Sequence, residues 1–200
     1  GSAYIGLALA VLSATIVALI FGFFVIQFKG DATISGLAIN ILALGLTTYT
    51  MRLIFGVTGG YYDPNLQGLP NITIPIISDI PLLGQVVSGH SIIVYAAFVI
   101  VGLAYIFLFR HPVGLHLRAV GENPQAAGSL GIHVKRVQYL SVILCGMLCG
   151  LAGAQLSISI VTQFVEGMTA GRGFIALVAI IFGQAHPVKI LGASLLFGLA

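Results

Sequence analysis

The chain has 200 residues, of which 58% are hydrophobic and only 6% charged, and its mean hydropathy is +1.11. A soluble domain carries about 25% charged residues, so this composition excludes a soluble globule and indicates an integral membrane protein. The formal charge of +3 does not indicate nucleic-acid binding, because the cations form no stripe interleaved with aromatic residues.

The apolar residues are grouped into long runs. A membrane-spanning helix needs about 20 mostly apolar residues, and the sequence predicts four such spans. They cover residues 3–27, 33–56, 90–109 and 137–160. Two shorter apolar runs follow, at 174–185 and 188–200. Because the chain stops inside the last run, we expect residues 1–200 to form part of one transmembrane domain of a longer protein.

The loops between the spans differ in charge. Residues 57–89 are rich in Pro and Gly and contain no Lys or Arg, which predicts a long ordered loop or a re-entrant segment. Strict alternation of the spans places six of the eight Lys and Arg residues on the side of residues 110–136. The positive-inside rule then makes 110–136 cytoplasmic and 57–89 extracytoplasmic.

The segment 110–136 is the best-organised polar stretch. Asn123 and Pro124 are predicted to cap and start a short helix, because an Asn side chain accepts hydrogen bonds from the first turn and Pro suits the first helical position. The small side chains of Ala126 and Ala127 would let this helix lie close to a partner. Gly131 would end it in a left-handed conformation. The alternative is a solvated loop between two spans.

Two spans carry small or polar residues at steps of three and four, which places them on one helix face. They are Gly36, Asn40, Ala43, Thr47 and Thr50 on the second span, and Gly146, Gly150, Gly153 and Ser157 on the fourth. One interpretation is tight packing of helices through small residues. The other is a wall of a permeation path, with Asn40 and Thr47 as its candidate residues, because a polar amide in hydrocarbon must find a partner.

Arg172 lies between two glycines, which indicates an interrupted helix whose backbone approaches another group closely. We consider it a third candidate for the path. The alternative is an outer loop in which Arg172 forms an ion pair with Glu166.

No pattern of catalytic chemistry is present. The five histidines lack the spacing of metal ligands, Cys145 and Cys149 are interpreted as small residues on one helix face, and there is no phosphate-binding loop or nucleophile elbow. The sequence therefore predicts no catalytic residues, no metal site, no cofactor and no enzymatic activity in this chain.

Three stretches carry a resemblance to a known family. They are Arg118–Ile132 (RAVGENPQAAGSLGI), Gly167–Leu177 (GMTAGRGFIAL) with the following Ile181-Phe182-Gly183, and Gly36–Gly45 (GLAINILALG). The chain resembles ABC-transporter inner-membrane permeases of the branched-chain amino acid/simple sugar/nucleoside family. The sequences Arg118–Pro124 (RAVGENP) and Ser78–Pro81 (SDIP), the latter in the Pro-rich loop, resemble the nucleoside and simple-sugar branch more than the amino-acid branch.

The resemblance implies an all-α, polytopic helical bundle of the ABC importer type in a bacterial cytoplasmic membrane, surrounded by membrane lipid. It implies import of a nucleoside or simple sugar, with a second permease subunit, a cytoplasmic ATPase that hydrolyses the ATP, and an extracytoplasmic substrate-binding protein docking where 57–89 lies. The residues that would seat on the ATPase are Gly121, Glu122, Asn123, Pro124, Ala126, Ala127 and Gly131.

Three alternatives remain at this stage: a branched-chain amino acid permease, an ion-coupled secondary carrier and a membrane scaffold without transport. Ion-coupled carriers usually need carboxylates within the membrane. None of the five acidic residues falls in the middle of a predicted span, which argues against a carrier; they are Asp31, Asp63, Asp79, Glu122 and Glu166.

Overall fold

A computed structural model of the protein describes residues 3–57, 59–61, 71–72, 90–160 and 163–199. These residues are almost entirely helical, as the sequence predicts. They divide into two compact units, one made of Gly1–Leu66 and Leu108–Ala170 and the other of Gln67–Phe107 and Gly171–Ala200. Most of the predicted loop 57–89, namely residues 58, 62–70 and 73–89, lies outside the described residues.

Within the described residues, four helical segments are long and apolar enough to cross a membrane, which confirms the predicted spans. They are Ala3–Gln27, Ala32–Phe55, Ile92–Arg110 and Val134–Ile158. The fourth begins three residues before the predicted start. Lys135 and Arg136 form its first turn, because a helix can extend past the apolar run with residues of high helix propensity.

The first unit is built on helices α1 (Ala3–Gly22) and α6 (Val134–Ala154), and π-helical turns extend them over Phe23–Gln27 and Gln155–Ile160. The two helices run antiparallel: Gly6 lies beside Ile158, and Gly22 lies beside Val142.

Two glycines of α6 bring it against α1. A Cβ added at Gly146 would lie 2.6 Å from the Cβ of Ala18, and one added at Gly150 would lie 2.6 Å from the Cα of Val11. No real side chain tolerates such distances, so the helix backbones approach as closely as a GxxxG pattern permits. The stripe on the fourth span therefore includes a tight packing surface, as one of its two interpretations predicts.

Helix α2 (Ala32–Phe55) follows a short turn in the first unit. The Asp31 carboxylate accepts hydrogen bonds from the backbone N–H groups of Thr33 (2.8 Å) and Ile34 (3.0 Å), which caps the helix start. Beyond its far end, strand β1 (Gly60–Tyr61) pairs antiparallel with strand β4 (Phe164–Val165). The sequence did not predict these strands, because a two-residue bridge depends on tertiary contact and leaves no periodic pattern.

The same unit holds two short helices outside the spans, α4 (Pro112–Glu122) and α5 (Pro124–Ser129). Helix α5 packs against both α4 and α6. These helices lie in the predicted coupling segment.

The second unit contains strand β2 (Asn71–Ile72), which pairs antiparallel with β3 (His90–Ser91), most of helix α3 (Ile92–Arg110), and helices α7 (Arg172–Phe182) and α8 (Pro187–Leu199). Helices α7 and α8 form a close hairpin, because a Cβ added at Gly183 would lie 2.6 Å from the Cγ1 of Ile190.

Candidate translocation path and coupling segment

The turn between α4 and α5 is organised by Asn123. Its side-chain Oδ1 accepts hydrogen bonds from the backbone N–H groups of Gln125 and Ala126, both at 3.0 Å, and Pro124 is the first helical residue. Its own N–H donates to the carbonyl of Ala119 at 3.1 Å, so the same residue also ends α4. The cap predicted from Asn123 and Pro124 is present, and it fixes the angle at which α5 leaves α4.

The end of α5 is organised by Gly131, which has a φ of +82°. Its N–H donates to the carbonyl of Gly128 at 3.0 Å, and the N–H of Ile132 donates to the carbonyl of Ala127 at 3.2 Å. A residue with a Cβ is disfavoured in this left-handed conformation, which is why glycine ends helices in this way. The predicted helix end at Gly131 is therefore also present.

The adjacent residues Ala126 and Ala127 differ in their exposure. Ala127 is 2% exposed within its own chain, whereas Ala126, Gly121 and Glu122 are exposed. A six-residue helix that packs back on α4 and α6 must turn one side inward, and Ala127 is on that side. The exposed face of α5 thus includes Ala126 but not the side chain of Ala127. Contact of either alanine with a partner, which the sequence indicated for both, stays a prediction.

Basic residues gather at one end of the first unit. The Lys135 ammonium donates to the Oε1 of Gln27 at 2.6 Å, which joins the start of α6 to the end of the first span. The Arg118 guanidinium lies over the ring of Phe109, 4.6 Å from its centroid. We call this end, with Lys29, Arg110, Arg118, Lys135 and Arg136, the basic end. The hydrogen bond between Gln27 and Lys135 places the end of the first span beside the start of α6; the side of the membrane on which this end lies stays a prediction.

Thr47, one of the two candidate path residues of α2, lies beside a cavity of about 500 Å³ in the first unit. Its walls come from α1, α2 and α6; among them are Ser13, Ala43, Thr47, Cys145 and Cys149. The Thr47 hydroxyl lies 2.9 Å from the carbonyl oxygens of both Ala43 and Leu44, so its proton is used within the helix. The cavity wall that Thr47 offers is therefore nearly apolar.

Asn40 is exposed on the same helix and is absent from the cavity lining. The structure thus brings Thr47, but not Asn40, to this cavity. Arg172 belongs to the second unit, where it is the first residue of α7 and follows Gly171 at a φ of +78°. Arg172 therefore starts a helix after a turn and does not interrupt one. Among the described residues, nothing beyond the chain neighbours and the helix's own backbone lies within 4 Å of a Cβ built at Gly171 or Gly173, so the close backbone approach that these glycines predicted is not seen.

Sequence reasoning missed two features of the first unit. It treated Cys145 and Cys149 as packing residues, yet both free thiols line the cavity, and their spacing of four was the signal that they share a face. It also missed a contact between Glu166 and Gly59 that consists of two hydrogen bonds. The N–H of Glu166 donates to the Gly59 carbonyl at 3.0 Å, and the Gly59 N–H donates to the Oε1 of the Glu166 side chain at 3.3 Å. That contact joins the chain after α2 to the turn after β4.

The family described as "Branched-chain amino acid transport system / permease component" matches residues 1–200. The chain belongs to this family. It is accordingly an integral membrane protein, and the four long apolar helices among the described residues agree with that assignment. No solved structure matches this permease chain.

Three relatives of this permease chain are named as nucleoside or guanosine transporters. The guanosine ABC transporter permease protein NupQ of Bacillus subtilis is 38% identical over 98% of this chain and 61% of its own length. The nucleoside ABC transporter permease protein NupC of Lactococcus lactis is 37% identical over 87% of this chain and 54% of its own. The guanosine ABC transporter permease protein NupP of B. subtilis is 27% identical over the whole chain and 58% of its own length. This permease chain spans about three fifths of the length of such relatives.

Proposed function

We propose that the chain is part of the membrane-spanning subunit of an ATP-binding cassette importer that moves a nucleoside or a related simple sugar across a cytoplasmic membrane. Membership of the permease family carries this proposal. The names of NupQ and NupC support a nucleoside as the solute. An ion-coupled carrier would need a carboxylate within a span. Within the residues described, Asp31 caps α2, Glu122 ends α4 and Glu166 follows β4, so none of these three carboxylates meets that requirement.

ATP hydrolysis in this proposal takes place on a separate cytoplasmic subunit, and α5 is the part of this chain that contacts it. The short helix stands outside the spans, with capped ends and an exposed face that includes Ala126. Ala127 and Gly131 act through the shape of α5: the first packs it onto its own chain, and the second ends it.

The packing of α5 provides a route by which an ATPase could move the span. Helix α5 packs on α6, and α6 is locked to α1 through Gly146 and Gly150. A displacement of α5 would therefore be transmitted to α6 and to the cavity that Cys145 and Cys149 line. Rigid elements with tight contacts transmit such shifts, because packed interfaces do not deform continuously.

A second permease subunit and an extracytoplasmic binding protein complete the proposed importer. NupQ and NupP are both guanosine permease proteins of one organism, and both resemble this chain, which supports a pair of related but different permease subunits. The binding protein is proposed to dock at residues 57–89, most of which lie outside the described residues.

Uptake in a deletion strain tests the substrate. Cells that express the intact transporter should accumulate labelled guanosine at least tenfold faster than the deletion strain, and labelled leucine no faster. Uptake of glucose without uptake of guanosine would show that the transported solute is a simple sugar and not a nucleoside. Leucine uptake alone would contradict the proposal in favour of a branched-chain amino acid permease.

Substitution of Ala126 tests the coupling contact. Ala126→Trp places bulk on the exposed face of α5, so ATPase that co-purifies with the detergent-solubilised permease should fall by about tenfold, equivalent to about 1.4 kcal/mol. Membrane insertion and melting temperature should stay near wild type, because Ala126 is exposed within its own chain.

The control for this substitution is Gln125→Glu, a change at the neighbouring exposed position that should leave co-purification near wild type. Ala127→Trp is a less specific test, because Trp at a buried position would also displace α5 from its own chain. If Ala126→Trp shows wild-type ATPase recovery and wild-type uptake, the proposed contact between α5 and the ATPase is wrong, and residues 110–136 only connect two spans.

A further inference from the structure

A second groove opens at the basic end of the first unit, between α4 and the start of α6. It has a volume of about 400 Å³. Three basic residues line it, His116 on α4, His133 before α6 and Arg136 in the first turn of α6. Its walls are otherwise largely apolar and include Val113, Val137 and Leu140. We call it the basic groove.

We propose that the basic groove binds the headgroup of an anionic phospholipid, with the phosphate at His116, His133 and Arg136 and the glycerol and first acyl carbons along Val113, Val137 and Leu140. The proposal rests on the membrane location of the chain and not on the transported solute, so it stands apart from the proposed function.

The charge of the lining favours an anion. Arg136 brings a permanent positive charge to the lining, and no Asp or Glu is among the lining residues. His133 occupies the N-cap position of α6 yet its side chain makes no capping hydrogen bond, whereas the Nδ1 of His111 accepts one from the N–H of Val113 at 3.3 Å. The His133 ring is therefore not used to cap its helix. Arg136 presents a planar guanidinium, whose fork of donors suits a phosphate.

The depth of the groove favours a lipid over a soluble anion. Arg136, Val137 and Leu140 belong to the first two turns of the span Val134–Ile158, and α4 begins two residues after the span that ends at Arg110. The groove therefore lies where spans meet the headgroup region, with its apolar wall continuing along α6. Basic pockets between helices at this depth are suited to anionic headgroups.

The apolar surface around the groove also fits this occupant. Leu130, which lines the groove, is 80% exposed, and Leu115, which precedes the lining residue His116 on α4, is 62% exposed. Exposed leucines beside cations are typical of surfaces that lie at a membrane interface, where the apolar side chains enter the acyl region and the cations meet phosphates. An acidic loop of a protein partner would match the cations but not the apolar wall along α6.

The test measures lipid binding to the purified, full-length permease by native mass spectrometry, with phosphatidylglycerol and phosphatidylcholine titrated separately. Wild type should prefer phosphatidylglycerol. Arg136→Gln should weaken phosphatidylglycerol binding about fivefold or more, the effect of one basic residue near an anionic surface. Arg136→Lys should retain most of the affinity, because it keeps the charge.

Arg118→Gln is the matched control, since it removes the same charge from the same segment but does not line the groove. It should keep wild-type phosphatidylglycerol affinity. Equal losses for Arg118→Gln and Arg136→Gln, or equal binding of the two lipids by wild type, would overturn the specific site. Loss of ATPase co-purification in Arg136→Gln with unchanged lipid affinity would overturn it in favour of a protein contact.

Discussion

Helices α2 and α6 carry similar stripes of small and polar residues but use them differently. On α6, Gly146 and Gly150 meet the backbone of α1 at distances that leave no room for a Cβ. On α2, Gly36 would bring a Cβ no closer than 4.0 Å to Phe21, Thr47 borders a cavity, and Asn40 is exposed. One stripe is a packing surface inside this unit, whereas the other borders open space.

The difference shows what a stripe of small residues specifies. Lipid provides no hydrophobic force that drives helices together, so helices associate where small residues allow their backbones to approach closely. A stripe of small residues therefore predicts a packing face, but it does not specify which helix packs there. The α6 stripe contains only Gly at its two contact positions, while the α2 stripe mixes in an amide and hydroxyls. Polar groups are costly in hydrocarbon and unnecessary for packing, so their presence in α2 favours a path or a subunit contact.

Gly150→Ala tests the packed stripe and should have the largest effect on stability. The new Cβ would lie 2.6 Å from the Cα of Val11 and 2.9 Å from the carbonyl oxygen of Ala10, both backbone atoms that cannot move aside alone. The helices must separate, and overpacking of this kind costs about 1–3 kcal/mol. The melting temperature of the purified permease, followed by fluorescence-detected size-exclusion chromatography, should fall clearly.

Gly153→Ala is the control from the same stripe. Among the described residues, nothing beyond its chain neighbours and its own helix's backbone lies within 4 Å of a Cβ at this position. Ala also has the higher helix propensity, so the melting temperature should stay level or rise slightly. Equal losses for the two variants would mean that the helix pair does not have the close contact described at Gly150.

Much of the fold could be predicted from the sequence because its determinants are local. The length of each apolar run predicted the spans. The Asn123 side chain and the conformational freedom of Gly131 predicted the two ends of α5. The burial of Ala127 and the different outcomes for Gly150 and Gly153 could not be predicted. They depend on which neighbour each helix face meets, and spacing within one helix contains no information on that neighbour.

The candidate site was predictable in part for the same reason. Thr47 was selected as a polar residue on a stripe, and it does line a cavity, but the cavity also needs α1 and the two cysteines of α6. The basic groove brings together His116 of α4 and Arg136 of α6. Because these residues lie on different helices, no periodic spacing in the sequence predicts that they are neighbours.

Asn40→Leu tests the open stripe and should have a smaller effect, on transport rather than on stability. Asn40 is exposed on α2 and lies outside the contact of α1 with α6, so the melting temperature should remain within error of wild type. A membrane hydrogen bond contributes about 0.6 kcal/mol and at most about 1.7, so uptake or association with the second subunit should fall about threefold to twentyfold. Asn40→Gln keeps the amide and should recover part of the loss. If Asn40→Leu transports and assembles like wild type, the α2 stripe is an ordinary packing face like that of α6, and the contrast between the two helices disappears.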